Sequence, residues 1–178
     1  MRAVRCALLV RAVNVGGRSR LPSADLRRAV EAAGGTQVAT YLQSGNAVCG
    51  TDLAPDALAV RVEAALADVA GVRTDVLART GEELAAVVAA NPFPDALAQP
   101  SWLHVVFLGA PLAPEVAAGL DPAAWLPDRF AVAGREVYAA YAGGSGRSRM
   151  SAGLLRGVPL VATARNWGTV RALAERTA

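Results

Sequence analysis

The sequence contains no lysine; all 18 of its basic residues are arginine. That absence removes the P-loop lysine, the Schiff-base lysine and the kinase lysine together. A single histidine and two cysteines cannot supply a structural zinc site of the usual four-ligand kind, so neither a metal site nor a cofactor is expected. Aromatic residues make up only 5% of the chain. No stretch approaches the ~20 apolar residues of a membrane span. The apolar run at the N-terminus, Cys6 to Val10, is cut off by Arg11 and is too short for a signal peptide. Cys6 and Cys49 are isolated within strand-like apolar text, which reads as two reduced core residues in a cytoplasmic protein rather than a disulfide framework.

What is present supports a packed core. The chain has 178 residues, 53% hydrophobic and 19% charged, a balance that excludes a disordered polymer. Forty alanines beside the arginine-only basic set read as the codon bias of a GC-rich bacterial genome. Net charge is only +3, but its distribution is uneven. Arg2, Arg5, Arg11, Arg18 and Arg20 precede the first acid, and Arg147, Arg149, Arg156, Arg165 and Arg171 lie between Glu136 and Glu175 with no acid among them. Such basic ends form one positive surface only if the fold brings them together.

Periodicity predicts a strand over 4–13, a glycine turn at Gly16-Gly17, and a helix capped by Ser23 that buries Leu26, Ala29, Val30 and Ala33. Strands near 37–42 and 46–50 flank the turn Ser44-Gly45. Pro55 opens a second helix with Leu58, Val62, Leu66 and Val69 as its stripe, and residues 72–78 read as a closing strand. This β-α-β-β-α-β order is ferredoxin-like and predicts a first lobe over 1–79. A second, smaller α+β lobe is expected over 80–178, so the fold class is α+β. It starts with the capping box Thr80 to Glu83, and Asn91-Pro92-Phe93-Pro94 breaks that helix. A strand follows over 102–108, then a short helix from Pro114 and a hairpin over 129–133 and 135–142 around Gly134. The loop Gly143-Gly144-Ser145-Gly146 leads to a helix near 148–155, and a last helix covers about 167–176. No sequence-level repeat is visible between the halves.

Four segments stand out: Arg11-Ala12-Val13-Asn14-Val15-Gly16-Gly17, Thr40-Tyr41-Leu42-Gln43-Ser44-Gly45-Asn46, Asn91-Pro92-Phe93, and Thr163 to Val170 around Arg165-Asn166-Trp167. In order and spacing they resemble the bacterial domain of unknown function family numbered 1697, over essentially the whole chain. The resemblance implies a ferredoxin-like α+β architecture and a bacterial origin, and implies no established reaction. The family usually has glycine where Ala12 stands and asparagine where Gly168 stands.

These segments hold arginine, asparagine, hydroxyls and glycine, and no carboxylate, histidine or cysteine. Arginine stays protonated and asparagine does not titrate, so the set suits binding an anion rather than moving a proton. Glycine turns expose backbone N–H groups, and a helix start adds its positive dipole end. The expected ligand-binding residues are therefore Arg11, Asn14, Gly16, Gly17, Ser44, Gly45, Asn46, Arg165 and Asn166, with Arg147 and Arg149 on a phosphate-gripping loop. The competing reading makes the same asparagines turn and helix caps, and the glycine loop a flexible connector. His104, on a strand face with Trp102 and Val106, is expected to be a satisfied structural histidine. The expected partner is an anionic, phosphate-bearing small molecule. RNA on a basic face is an alternative, as is an enzyme using Asp25, Asp75 or Tyr41 as an unidentified acid or base. Whether the chain is an enzyme, and with which catalytic residues, is left open.

Overall fold

The computed structural model describes residues 3–14 and 20–178. The chain divides into two compact units, Met1–Ala86 with Ala172–Ala178, and Val87–Arg171. In the first unit, strands β1 (Val4–Val10), β2 (Thr36–Tyr41), β3 (Asn46–Thr51) and β4 (Val76–Thr80) form one sheet in the order β2-β3-β1-β4. Helices α1 (Ser23–Ala32) and α2 (Pro55–Ala70) complete the β-α-β-β-α-β order. β1 runs antiparallel to both β3 and β4, with Cys6 opposite Cys49 and Val10 opposite Val76. Its Cys6, Leu8 and Val10 pack with Leu26, Ala29 and Val30 of α1 and with Leu58, Val62 and Leu66 of α2. Burying each such leucine contributes about 1.5–3 kcal/mol, so the stripes hold the helices to the sheet. Ala7 and Leu9 on the other face of β1 are buried as well, which is why the strand reads as a continuous apolar run.

Several boundaries move for local reasons. β1 ends at Val10 rather than 13, because Ala12 (φ 49°) and Asn14 (φ 56°) turn into the left-handed region. Only glycine enters that region without a steric penalty, so Ala12 and Asn14 each carry one. Ser23 does not cap α1. Pro22 occupies that place with extended backbone, and its carbonyl accepts from the Asp25 and Leu26 amides. β2 carries a register shift between Thr36 and Ala39 around Gln37 (φ 49°). β4 begins at Val76 rather than 72, because the preceding stretch follows the α2 C-cap at Gly71 (φ 66°) and ladder pairing starts only opposite Val10. The capping box forms as read: the Thr80 amide donates to Glu83 Oε2 (2.8 Å) and the Glu83 amide to Thr80 Oγ1 (3.1 Å), starting α3 (Gly81–Ala89).

The second unit has its own antiparallel sheet, built from β5 (Leu103–Leu108), β6 (Arg129–Ala133), β7 (Glu136–Ala140) and β8 (Ala162–Asn166), in the order β6-β7-β5-β8. With β5 to β8 taken as counterparts of β1 to β4, the order is that of the first sheet. The architecture is thus repeated where the residues show no repeat. Short helices α4 (Pro114–Ala118) and α5 (Arg149–Gly153) stand where α1 and α2 stood, and α6 (Trp167–Thr177) follows β8 as α3 follows β4. Leu108, Val137, Ala139, Tyr141, Met150 and Leu154 form the core on one side of this sheet. Among the described residues no helix is long and apolar enough to cross a membrane, and no group of three or more His, Cys, Asp or Glu is placed to hold a metal.

Candidate functional site

The motif residues of the first unit meet at one end of its sheet. Asn14 donates from Nδ2 to the carbonyls of Leu21 (3.0 Å) and Gln43, and accepts the Leu21 amide at Oδ1 (2.9 Å). Gly45, at φ 72°, offers its carbonyl to the Val10 amide (2.8 Å). Asn46 is fully buried and donates to Tyr41 O (3.1 Å) and to Ser44 Oγ (2.8 Å). Arg11 pairs with Asp75 at 3.0 Å on the surface. Gly16 and Gly17 lie outside the described residues. Among the described residues, the Asn14 and Asn46 carboxamides are thus turned onto the protein's own groups, as staples of the β1 exit and the β2–β3 loop. Asn14→Ala is accordingly expected to destabilise the fold by about 1–3 kcal/mol in urea titration, since it orphans the Leu21 and Gln43 groups at once. A cost under about 0.5 kcal/mol would show that the staple is not structural.

The two carboxylates considered for catalysis are paired as well. Asp25 pairs with Arg28 (2.6 Å) and Asp75 with Arg11, while the Tyr41 ring lies 4.7 Å beneath the Arg176 guanidinium.

Arg165 and Asn166 belong to the second unit. Arg165 is only 7% exposed; its Nη1 donates to Thr163 Oγ1 and to the Ala164 carbonyl, both at 2.8 Å, and burial lowers its pKa to about 10. Arg79, at the matching end of β4, makes the same contact from Nη1 to the Ala78 carbonyl (2.8 Å). Asn166 Oδ1 accepts the Thr169 amide (2.9 Å) at the start of α6, as Thr80 does at the start of α3.

Arg147 and Arg149 are placed differently. Both are exposed, and neither side chain makes a hydrogen bond or ion pair among the described residues. They line a cavity of about 230 Å³ with Gly143, Gly144, Ser148 and Asp128. The loop, a phosphate-gripping segment on one reading and a flexible connector on the other, holds a 3-10 turn (Ser145–Arg147), and Asp128 ties down both of its ends. Oδ1 of Asp128 accepts the Ala142 amide (2.8 Å), and Oδ2 accepts the Ser148 hydroxyl. Ser148 Oγ in turn accepts the Met150 amide (2.9 Å) and caps α5. Trp125 closes the wall by packing on Gly153, where a Cβ would stand 2.6 Å from its ring. The sequence reading missed Asp128 and Trp125. The only local signal was the Pro-Asp pair at 127–128, an ordinary turn signature.

His104 sits on the half-buried face of β5 as its alternation predicts, with its ring edge-on to Tyr141 (5.3 Å between centroids). It is not satisfied, however: Nδ1 is buried without a hydrogen-bond partner, and burial holds its pKa below the usual value. Cys6 and Cys49 are free, buried thiols with Sγ atoms 3.9 Å apart, and their shared hydrogen bond and burial push the Cys6 thiol up.

Among solved structures, that of the conserved bacterial protein SP0830 from Streptococcus pneumoniae is similar at a TM-score of 0.75 and 19% identity, covering 99% of each chain. At that identity the likeness is one of fold. No curated protein matches. Residues 4–138 match the family described as Protein of unknown function (DUF1697), which spans most of both units, and the chain belongs to that family.

Proposed function

We propose that the cavity under Arg147 and Arg149 binds the phosphate of a small anionic molecule. The observation that carries this reading is the pair of unengaged guanidiniums, Arg147 on a loop whose two ends Asp128 clamps and Arg149 at the start of the helix that follows. A pre-ordered loop loses little entropy on binding, so its charges act at full strength. Asp128 contributes one negative charge to the wall, but its oxygens are already hydrogen-bonded, and two arginines leave the cavity cationic. Guanidinium groups suit bidentate phosphate contacts. About 230 Å³ is below the roughly 300–1,000 Å³ of drug-sized sites, which fits a phosphate and a few further atoms. Arg11, Asn14, Ser44, Gly45, Asn46, Arg165 and Asn166 enter this reading as architecture, because their polar groups contact the protein itself.

The test is a titration with ribose 5-phosphate and with inorganic phosphate, read by calorimetry and by thermal shift. A ligand at ~100 times its dissociation constant adds about 2.7 kcal/mol of stability. Removing one charged hydrogen-bonding partner costs about 1.5–3 kcal/mol, so Arg147→Ala and Arg149→Ala are each expected to weaken binding by roughly 10- to 100-fold while leaving the unliganded melting temperature nearly unchanged. Absence of binding by either compound, or equal binding by the double variant, would overturn the reading.

A further inference from the structure

The phosphate cavity has a neighbour. A second cavity of about 200 Å³ shares the wall residues Pro127 and Ala142 with it, so the two are neighbours. The two walls also come close at Gly144, where an added Cβ would stand 3.5 Å from Trp102 Nε1. The chemistry of the second compartment differs from the first. Its largest element is the indole of Trp102, 39% exposed in a chain with only three tryptophans. Ala96, Ala98, Ala140 and Ala142, all small, line the compartment as well, with Tyr141. The Gln99 carboxamide, both donor and acceptor, lines the same compartment with no side-chain partner among the described residues. Arg129 and Asp95 also line it, paired with each other, and the Arg129 guanidinium lies 4.8 Å over the Phe93 ring.

A phosphate-binding pocket opening onto an exposed aromatic face and a free carboxamide has the elements that recognise a nucleotide. We infer that the ligand is a nucleoside 5′-phosphate, with the phosphate under Arg147 and Arg149, the base stacked on Trp102, and the base edge within reach of Gln99. The inference rests on the phosphate reading above and adds the aromatic half of the ligand. The two compartments together reach the size of a small-ligand site, which neither does alone. The same chemistry is carried by a free mononucleotide or by the 5′-phosphorylated end of a single strand.

The experiment compares AMP and CMP with ribose 5-phosphate and with adenosine, by calorimetry on the full chain, in wild type, Trp102→Ala and Trp102→Phe. A base stacked on an aromatic side chain contributes at least about fivefold in affinity. AMP is therefore expected to bind at least fivefold tighter than ribose 5-phosphate. Trp102→Ala removes that gap without changing ribose 5-phosphate affinity, and Trp102→Phe, which keeps a ring, retains part of it. If ribose 5-phosphate binds as tightly as AMP in wild type, the nucleotide inference falls and the phosphate site stands. If no phosphate compound binds, both fall. If adenosine binds as tightly as AMP, the phosphate site falls and the nucleotide inference with it. A 5′-phosphorylated hexanucleotide completes the set: binding tighter than AMP assigns the nucleoside phosphate to a strand end, and weaker binding assigns it to a free mononucleotide.

Discussion

Gly45→Ala is expected to destabilise the protein by about 2–5 kcal/mol. Two penalties combine there. At φ 72° the backbone is left-handed, where a Cβ costs roughly 1–2 kcal/mol. The same Cβ would stand 2.5 Å from Val13 Cγ2, 3.0 Å from Val10 Cβ and 3.3 Å from the Val10 carbonyl, so the β1 exit must move to admit it. Overpacking of that kind costs typically 1–3 kcal/mol. Moving Val10 also strains the bond from its amide to the Gly45 carbonyl. Gly71→Ala supplies the control. Its φ is 66°, but nothing lies within 4 Å of the added Cβ, so only the conformational penalty applies. Urea titrations of the two variants should differ by the packing part alone. Equal losses would mean that the loop before Asn46 does not press against Val13.

Leu66→Ala carries an effect of similar size. Leu66 is fully buried on α2 among the residues joining that helix to β1, and a leucine truncated at such a site costs about 2–5 kcal/mol, depending on how far the cavity collapses. One turn later, Val69 lies on the same apolar stripe but is half-buried at the edge of the core. Val69→Ala removes fewer carbon atoms from a site that water partly reaches, so its expected cost is below about 1 kcal/mol. Denaturation midpoints of the two variants decide the point, and comparable shifts would show that the far end of α2 is packed as tightly as its centre.

That contrast marks how much a stripe of residues reveals. The 3.6-residue spacing of Leu58, Val62, Leu66 and Val69 announces a helix and its buried side, because spacing follows from helix geometry alone. It does not grade burial, which depends on what the sheet puts opposite each position. The same limit applies to the candidate site. Arg147 and Arg149 stand by a glycine-rich loop, whereas Asn14, Asn46 and Arg165 come from other motif segments, and their residue types are equally suited to an anion and to a backbone carbonyl. Asn14 spends its carboxamide on Leu21 and Gln43, and Arg165 donates within its own strand. A side chain's partner is a matter of which segments meet, and sequence spacing does not carry that.

The sequence by itself determined the element order of the first unit, the capping box at Thr80, the α+β class and the family, because each rests on residues close together in the chain or on a motif. Tertiary structure alone decided the rest: that the second unit repeats the strand order of the first, that Asp128 clamps a loop 14 to 20 residues away, and that Trp102 stands beside the arginine cavity. The physical reason is common to all three. Strand pairing, side-chain capture and cavity walls join residues that no local period or spacing connects, and they exist only once the chain has closed on itself.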